Sequence, residues 1–260
     1  METLILIFSG LFGLIFGSFL NVCIYRIPKN KSLAWPPSAC PQCGKPIKPY
    51  DNIPVLSYIF LGGKCRKCKY PISIQYPIVE LLTGALTMLF VWHLHLTPWT
   101  FVVLAAVYSL IILSVIDLEL MIIPDRFSLG LIGLGLAFAW LNPNFSGLWW
   151  QKELSSLLGA CVGLFGVLAI ALIGTWWFKK EAMGGGDVKL MGGIGALIGW
   201  EGVITTVIFA SFLGLVYALF LMCFKDKKGE DAIPFGPFLS MGALINLFYL
   251  IKPTMLVIEL

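Results

Sequence analysis

The sequence predicts an all-α polytopic membrane protein, with about eight transmembrane helices and one cytoplasmic zinc-binding loop. Two observations lead there first. Of 260 residues, 58% are hydrophobic and only 12% charged, and the mean hydropathy is +0.90. Soluble domains carry about 25% charged residues, so a water-soluble globule is excluded. The apolar runs also approach the roughly 20 residues that a helix needs to span a hydrocarbon core of ~30 Å. An outer-membrane barrel would instead show alternating segments of about ten residues. A third observation is the sorting of basic residues described below.

Apolar runs and their breaks give eight candidate spans, at about 3–25, 77–96, 99–117, 127–142, 154–178, 188–200, 203–224 and 236–251. The chain opens METLILIFSGLFGLIFGSFLNVCIY. This stretch lacks a basic start and a small-residue cleavage site, so it reads as a retained span rather than a signal peptide. The sixth span is short and glycine-rich, and is expected to be tilted, broken or sheltered from lipid by its neighbours. With the spans alternating, 16 of the 18 Lys and Arg residues fall on one side, and only Lys152 and Lys252 on the other. The positive-inside rule makes the first side cytoplasmic and puts both termini outside. Topology absorbs nearly all of the net charge of +4, with some attraction to lipid headgroups, so no nucleic-acid partner is needed. The resulting division is a first transmembrane helix over 1–25, a four-cysteine loop over 26–76 and a membrane core over 77–260.

The loop is the one long hydrophilic segment. It holds Cys40 and Cys43 as one C-x2-C pair, and Cys65 and Cys68 as another, with 21 residues between them. Four thiolates make the closed tetrahedral shell of a structural zinc site. The alternative, two disulfides, is opposed by a reducing cytoplasm. A loop this small buries too little core to fold unaided, which an ion would offset. Cys23, Cys161 and Cys223 lie in apolar spans and read as small hydrophobes.

Carboxylates at membrane depth are costly and mark function. Asp117 ends the third span and Asp187 opens the sixth, after the glycine run of EAMGGGDVKLMGG. Both are expected near the cytoplasmic face. Gly184 to Gly186 let the backbone turn and another segment approach closely. Two carboxylates brought together share a proton, so one activates water and the other protonates the leaving group. That chemistry hydrolyses a peptide bond without a metal. Bland alternatives exist. Asp117 is either a span-end residue reaching water or a partner for Lys189. Asp187 is also a candidate helix N-cap. For Asp125, capping the fourth span or orienting a neighbour is the expected role. Glu80 either pairs with a basic loop residue or lines the site. His93 and His95 read as interfacial residues.

Six motifs in order carry a resemblance: GSFLNVCIYRIP at 17–28, the cysteine loop at 40–68, YPIVELLTG at 76–84, the D-x-E-x-x-x-I-P-D stretch at 117–125, GGGDVKL at 184–190 and IPFGPFLSMG at 233–242. The chain resembles the bacterial type IV prepilin peptidases, which are G-x-G-D intramembrane aspartyl proteases. The resemblance implies an enzyme of the bacterial inner membrane that removes the basic leader from prepilins and pseudopilins on the cytoplasmic side. Through the complete cysteine loop, it also implies methylation of the new N-terminal residue by S-adenosylmethionine. It places the catalytic aspartates at Asp117 and Asp187 and the zinc ligands at Cys40, Cys43, Cys65 and Cys68. One departure is Gly185, where many relatives carry a larger residue. No glycine-rich dinucleotide loop is present for the methyl donor, so the zinc loop and the inner ends of nearby spans are its expected site. Asp51 or Glu119 is expected to attract the basic leader. A proton-coupled transporter would need repeats and several deep carboxylates, which the sequence lacks. A noncatalytic zinc-loop scaffold would leave the glycine-aspartate stretch without a role.

Overall fold

A computed structural model of the chain describes residues 2–179, 183–224 and 233–255. Lys180, Lys225, Lys227 and Lys228, four of the residues used for orientation, lie outside them. Among the described residues the protein is helical, apart from two isolated β-bridges. The chain divides into two compact units, Met1–Thr100 and Phe101–Leu260.

The first unit holds α1 (Glu2–Arg26), the short α2 (Leu56–Phe60) and α3 (Gln75–Leu94). α1 packs on α3 through a small-residue seam. A Cβ at Gly13 would lie 2.8 Å from the Gly84 Cα, and one at Gly17 would lie 2.7 Å from the Glu80 Cα. Close approach of backbones is how helices associate where lipid removes the hydrophobic drive between them. The opposite face of α1 exposes Leu4, Phe8, Phe12 and Ile15, as a lipid-facing surface requires. Asn21 ties the pair at its inner end, donating to the Gly17 and Tyr76 carbonyls at 3.2 and 3.1 Å.

The second unit holds α4 (Pro98–Leu120, which begins in the first unit), α5 (Asp125–Ala137), α6 (Trp149–Cys161), α7 (Val167–Phe178), α8 (Gly185–Phe224) and α9 (Gly236–Phe248). A π turn at Val162–Gly166 joins α6 to α7. Among the described residues, five helical stretches, including the joined Trp149–Trp177, are long and apolar enough to cross a membrane. α5 and α9 have 13 residues each, about 20 Å of helix, and are shorter than a full crossing. The sixth and seventh sequence segments form one helical run of 40 residues, α8.

That run is broken at Gly199, whose φ of 76° and ψ of 176° are not helical. Such a φ favours glycine, which has no Cβ to clash. Its first half, up to the break, is buried on nearly every face, from Leu190 to Gly199. A helix apolar all round belongs inside. Glycine also allows its neighbours to come close. A Cβ on Gly159 of α6 would collide with the Gly195 carbonyl, and one on Gly163 with that of Met191.

Breaking a helix orphans carbonyls, and here side chains satisfy two of them. Ser156 donates to the Ala196 carbonyl at 2.6 Å, and Asn142 donates to that of Leu197 at 2.8 Å. Both side chains are buried. A second buried cluster fixes α9 to the later half of α8: Thr205 and Asn246 share a 3.1 Å bond, and Asn246 donates to Thr206 at 3.1 Å. Replacing Asn142 with Leu keeps the branched shape but strands the Leu197 carbonyl. The expected loss is about 1–3 kcal/mol, read by equilibrium denaturation in detergent; Ser146→Ala, in an exposed turn, should leave stability unchanged.

Candidate functional site

In the second unit, three chain segments meet around two carboxylates. The buried face of α4 runs Val103, Ala106, Val107, Leu110, Leu113, and Asp117 ends it. The helical period therefore carries the aspartate onto the same face as the apolar residues. Asp117 is 5% exposed, and its Oδ2 accepts the Gly236 N–H at 2.9 Å. Gly236 opens α9, so the carboxylate takes one of the donors that a helix start leaves unpaired.

Asp187 sits in the first turn of α8 and is 8% exposed. It is not the N-cap. The helix begins at Gly185, and the Asp187 carboxylate reaches back to the Gly184 N–H, which is one half of a capping box. Its Oδ1 is buried and makes no hydrogen bond. Asp117 lies within electrostatic reach of Asp187. Between the two segments stands Ile123: a Cβ on Gly186 would lie 2.8 Å from its Cβ, and one on Gly236 would lie 3.2 Å from its Cδ1. The glycines therefore serve close approach, at Gly186 to Ile123 and at Gly236 to Asp117.

Two sequence expectations are corrected here. Asp125 does not cap α5, whose N-cap is Pro124 with no side-chain bond. Both Asp125 oxygens instead accept from Lys189 Nζ, at 2.8 and 2.9 Å. Lys189 consequently partners Asp125 and not Asp117. The pair is half exposed and lies two residues beyond Asp187, stapling the start of α5 to the start of α8. Sequence reading missed the role of Gly236. Its motif was visible in IPFGPFLSMG, but no local pattern pairs it with a residue 119 positions earlier.

The first unit carries the cysteine cluster. The ligand sulfurs of Cys40, Cys43, Cys65 and Cys68 all lie within 4.8 Å of one another. Cys40 and Cys68 are 3.7 Å apart, close to the edge of about 3.8 Å expected for a tetrahedron with ~2.3 Å metal–sulfur bonds. Each C-x2-C pair forms the same knuckle. Cys40 N–H donates to Lys45 and Cys65 N–H to Tyr70, at 3.0 and 2.8 Å. The residue after each second cysteine is left-handed, Gly44 at φ 67° and Lys69 at φ 60°. The turn aims amides at sulfur. N–H groups of Cys68 and Lys67 hold the Cys65 thiol down at about 6, toward the thiolate that a metal needs. The four thiols fit one metal ion.

The rest of the loop is pinned by charge. Arg26, buried at the end of α1, donates to the carbonyls of Ser32, Leu33 and Pro36 at 2.8, 3.2 and 2.6 Å. Asp51 is clasped by Arg66, with a shortest contact of 2.6 Å, and that bond holds its carboxyl below the usual range. Its charge is thus matched by Arg66 within the loop. Glu80 Oε2 accepts the Val55 N–H at 2.7 Å, and Ser18 also bonds the carboxylate. Glu80 does not pair with a basic residue among those described.

Fold and site together define a helical membrane protein with two buried aspartates near each other in one unit and four cysteines able to hold a metal ion in the other. Residues 11–94 match the model of the bacterial peptidase A24 N-terminal domain, and residues 103–219 match that of the type IV leader peptidase family. Relatives named prepilin leader peptidase/N-methyltransferase include those of Pseudomonas aeruginosa, 34% identical over 92% of this chain and 88% of the relative. That of Pectobacterium carotovorum is 35% identical over 92% and 91%, and that of Dichelobacter nodosus 36% over 93% and 91%. The chain belongs to the type IV leader peptidase family. No solved structure matches it.

Elemental analysis of the purified protein should give one metal ion per chain. Cys40→Ser and Cys65→Ser should each lose it, whereas Cys23→Ser, buried in α1, should retain it.

Proposed function

We propose that this protein cleaves the leader from type IV prepilins or pseudopilins with Asp117 and Asp187, and methylates the N-terminal residue so exposed with S-adenosylmethionine. The observation that carries the cleavage reading is the convergence of two buried aspartates, one free oxygen among them, at the junction of α4, α8 and α9. The names of the relatives support both activities.

The chemistry follows from the geometry. Gly236 N–H fixes one oxygen of Asp117, and Gly184 N–H holds the Asp187 carboxylate. The unbonded Oδ1 of Asp187 is placed to accept a proton from water. Water oxygen then adds to the scissile carbonyl carbon while the partner carboxyl protonates the departing amide nitrogen. The C–N bond breaks, giving a carboxylic acid on the leader and a free amine on the product. The pair titrates as a unit, so the proton belongs to both. No covalent enzyme intermediate is involved.

The cysteine cluster is read as a structural zinc site, because a closed four-thiolate shell leaves no position for a substrate. The protein is placed in the bacterial inner membrane, with the aspartates and the cysteine loop on the cytoplasmic side, on the strength of the basic-residue bias. A prepilin has a basic leader outside the bilayer and an apolar helix within it, so a site at that surface reaches the bond between them. With Asp51 engaged by Arg66, Glu119 is the carboxylate assigned to the leader. It is exposed, two residues beyond Asp117.

Asp117→Asn and Asp187→Asn should each slow leader removal by about 10²–10⁴-fold in detergent, scored by intact mass of a prepilin, with metal content and thermal unfolding unchanged. Normal cleavage by either variant overturns the dyad. Glu119→Lys should raise KM at low salt and converge on wild type as salt rises; an identical KM at all salts would remove Glu119 from leader binding.

A further inference from the structure

The first unit contains a cavity of about 840 Å³, enclosed by the inner ends of α1 and α3 and the cysteine loop. This lies within the range of about 300–1,000 Å³ typical of small-molecule sites. Nothing in the cleavage chemistry uses it. Its lining has a definite charge pattern. Two carboxylates face it, Asp51 and Glu80. Asp51 is neutralised by Arg66. Glu80 is 7% exposed, and it accepts only neutral donors, the Val55 amide and Ser18. No basic residue among those described pairs with it, so ionising this buried carboxylate is costly, and a cation bound in the cavity would offset that cost. The amide it holds belongs to Val55, a non-glycine residue at φ 62°, so the loop is bent at this carboxylate.

Other parts of the lining carry the opposite charge. Lys45 and Lys48 line the loop side of the cavity, and the rings of Tyr58, Tyr70 and Tyr76 line it too. A basic peptide leader is a poor match, because the lining has more cations than anions. A hydrocarbon chain would leave the charged groups of this wall, Glu80, Lys45 and Lys48, without partners. The pattern suits a compact ligand with a buried cation, an aromatic ring system and a carboxylate.

We infer that this cavity is the methyl-donor site. It takes S-adenosylmethionine with the sulfonium at Glu80, the adenine among the tyrosine rings and the carboxylate toward Lys45 and Lys48. The inference rests on the proposed methyltransferase activity and deepens it. Bound there, the donor supplies a methyl carbon: the product amine's lone pair forms the N–C bond, the C–S bond breaks onto sulfur to leave S-adenosylhomocysteine, and the amine releases a proton to water. Glu80 acts as a binding residue through its charge, Val22 as part of the α1 wall.

The test is titration calorimetry of full-length protein in detergent with S-adenosylmethionine and with S-adenosylhomocysteine, whose sulfur is neutral. Glu80→Gln should weaken S-adenosylmethionine at least about tenfold and S-adenosylhomocysteine much less. Val22→Trp, which fills the cavity from α1, should abolish binding of both. Leader cleavage by the same preparations serves as the fold control. Equal weakening of both ligands by Glu80→Gln overturns the sulfonium pairing, and wild-type binding by Val22→Trp overturns the cavity. If the wild-type enzyme cleaves prepilin but neither binds the donor nor methylates the product, the methyltransferase reading itself fails.

Discussion

In a hydrocarbon medium a backbone N–H or C=O has no water to fall back on, so every interruption of a helix must be answered by another group of the protein. The membrane unit is organised by these answers. Where α8 breaks at Gly199, Ser156 and Asn142 take up the Ala196 and Leu197 carbonyls. Where α9 starts, Asp117 takes the Gly236 amide. Where α8 starts, Asp187 takes the Gly184 amide. The last two are helix beginnings, which carry partial positive charge and so welcome an anion. The candidate catalytic carboxylates therefore owe their positions to the same constraint as the structural polar residues. The difference lies in what is left over. Ser156 and Asn142 are consumed by their bonds, whereas Asp187 keeps one buried oxygen without a partner.

The soluble loop solves a different problem with charge and thiols. It has few residues to bury, so its conformation is held by polar and thiol contacts rather than by a core. Arg26 gathers three carbonyls at its start, Arg66 and Asp51 clamp its middle, and the cysteines tie its two knuckles. Charged side chains spent in this way hold the loop's fold, Asp51 among them. Glu80 stands apart because it anchors Val55 with one oxygen, yet lines the cavity with no basic partner among the described residues.

The features legible in the sequence were those set by local pattern. Apolar runs located the long helices but not the short α2 of the loop, and glycine enrichment marked the first half of α8 as a segment to be tilted, broken or sheltered. Cysteine spacing gave the metal cluster because two knuckles make a shell whatever separates them. The break between the sixth and seventh segments was expected after residue 200 and falls at Gly199, where the left-handed φ needs glycine. Pairings across long chain distances were not legible. Lys189 lies 64 residues from Asp125, and Gly236 lies 119 from Asp117. The sequence offers several carboxylates for one lysine, and only packing chooses among them. Capping of α5 by Asp125 failed for a similar reason. Pro124 already occupies the cap position, so the aspartate enters the helix and turns outward to Lys189.

The two proposed chemistries are ordered by the electronic state of one nitrogen. Before cleavage that nitrogen belongs to a peptide bond, and its lone pair is delocalised into the carbonyl. It cannot attack a methyl sulfonium. Hydrolysis by the aspartate pair converts it to an amine, so the peptidase unit makes the nucleophile that the methyltransferase unit consumes. A donor site separate from the aspartates suits this order. The sulfonium can be held at Glu80 throughout without reacting with uncleaved substrate, because the acceptor does not yet exist. The proposal gives each chemistry its own unit, one built on a buried helix start and the other on a thiol-pinned loop. Hydrolysis needs a carboxylate pair at membrane depth, and methyl transfer needs a polar cavity able to accommodate a charged, water-soluble donor.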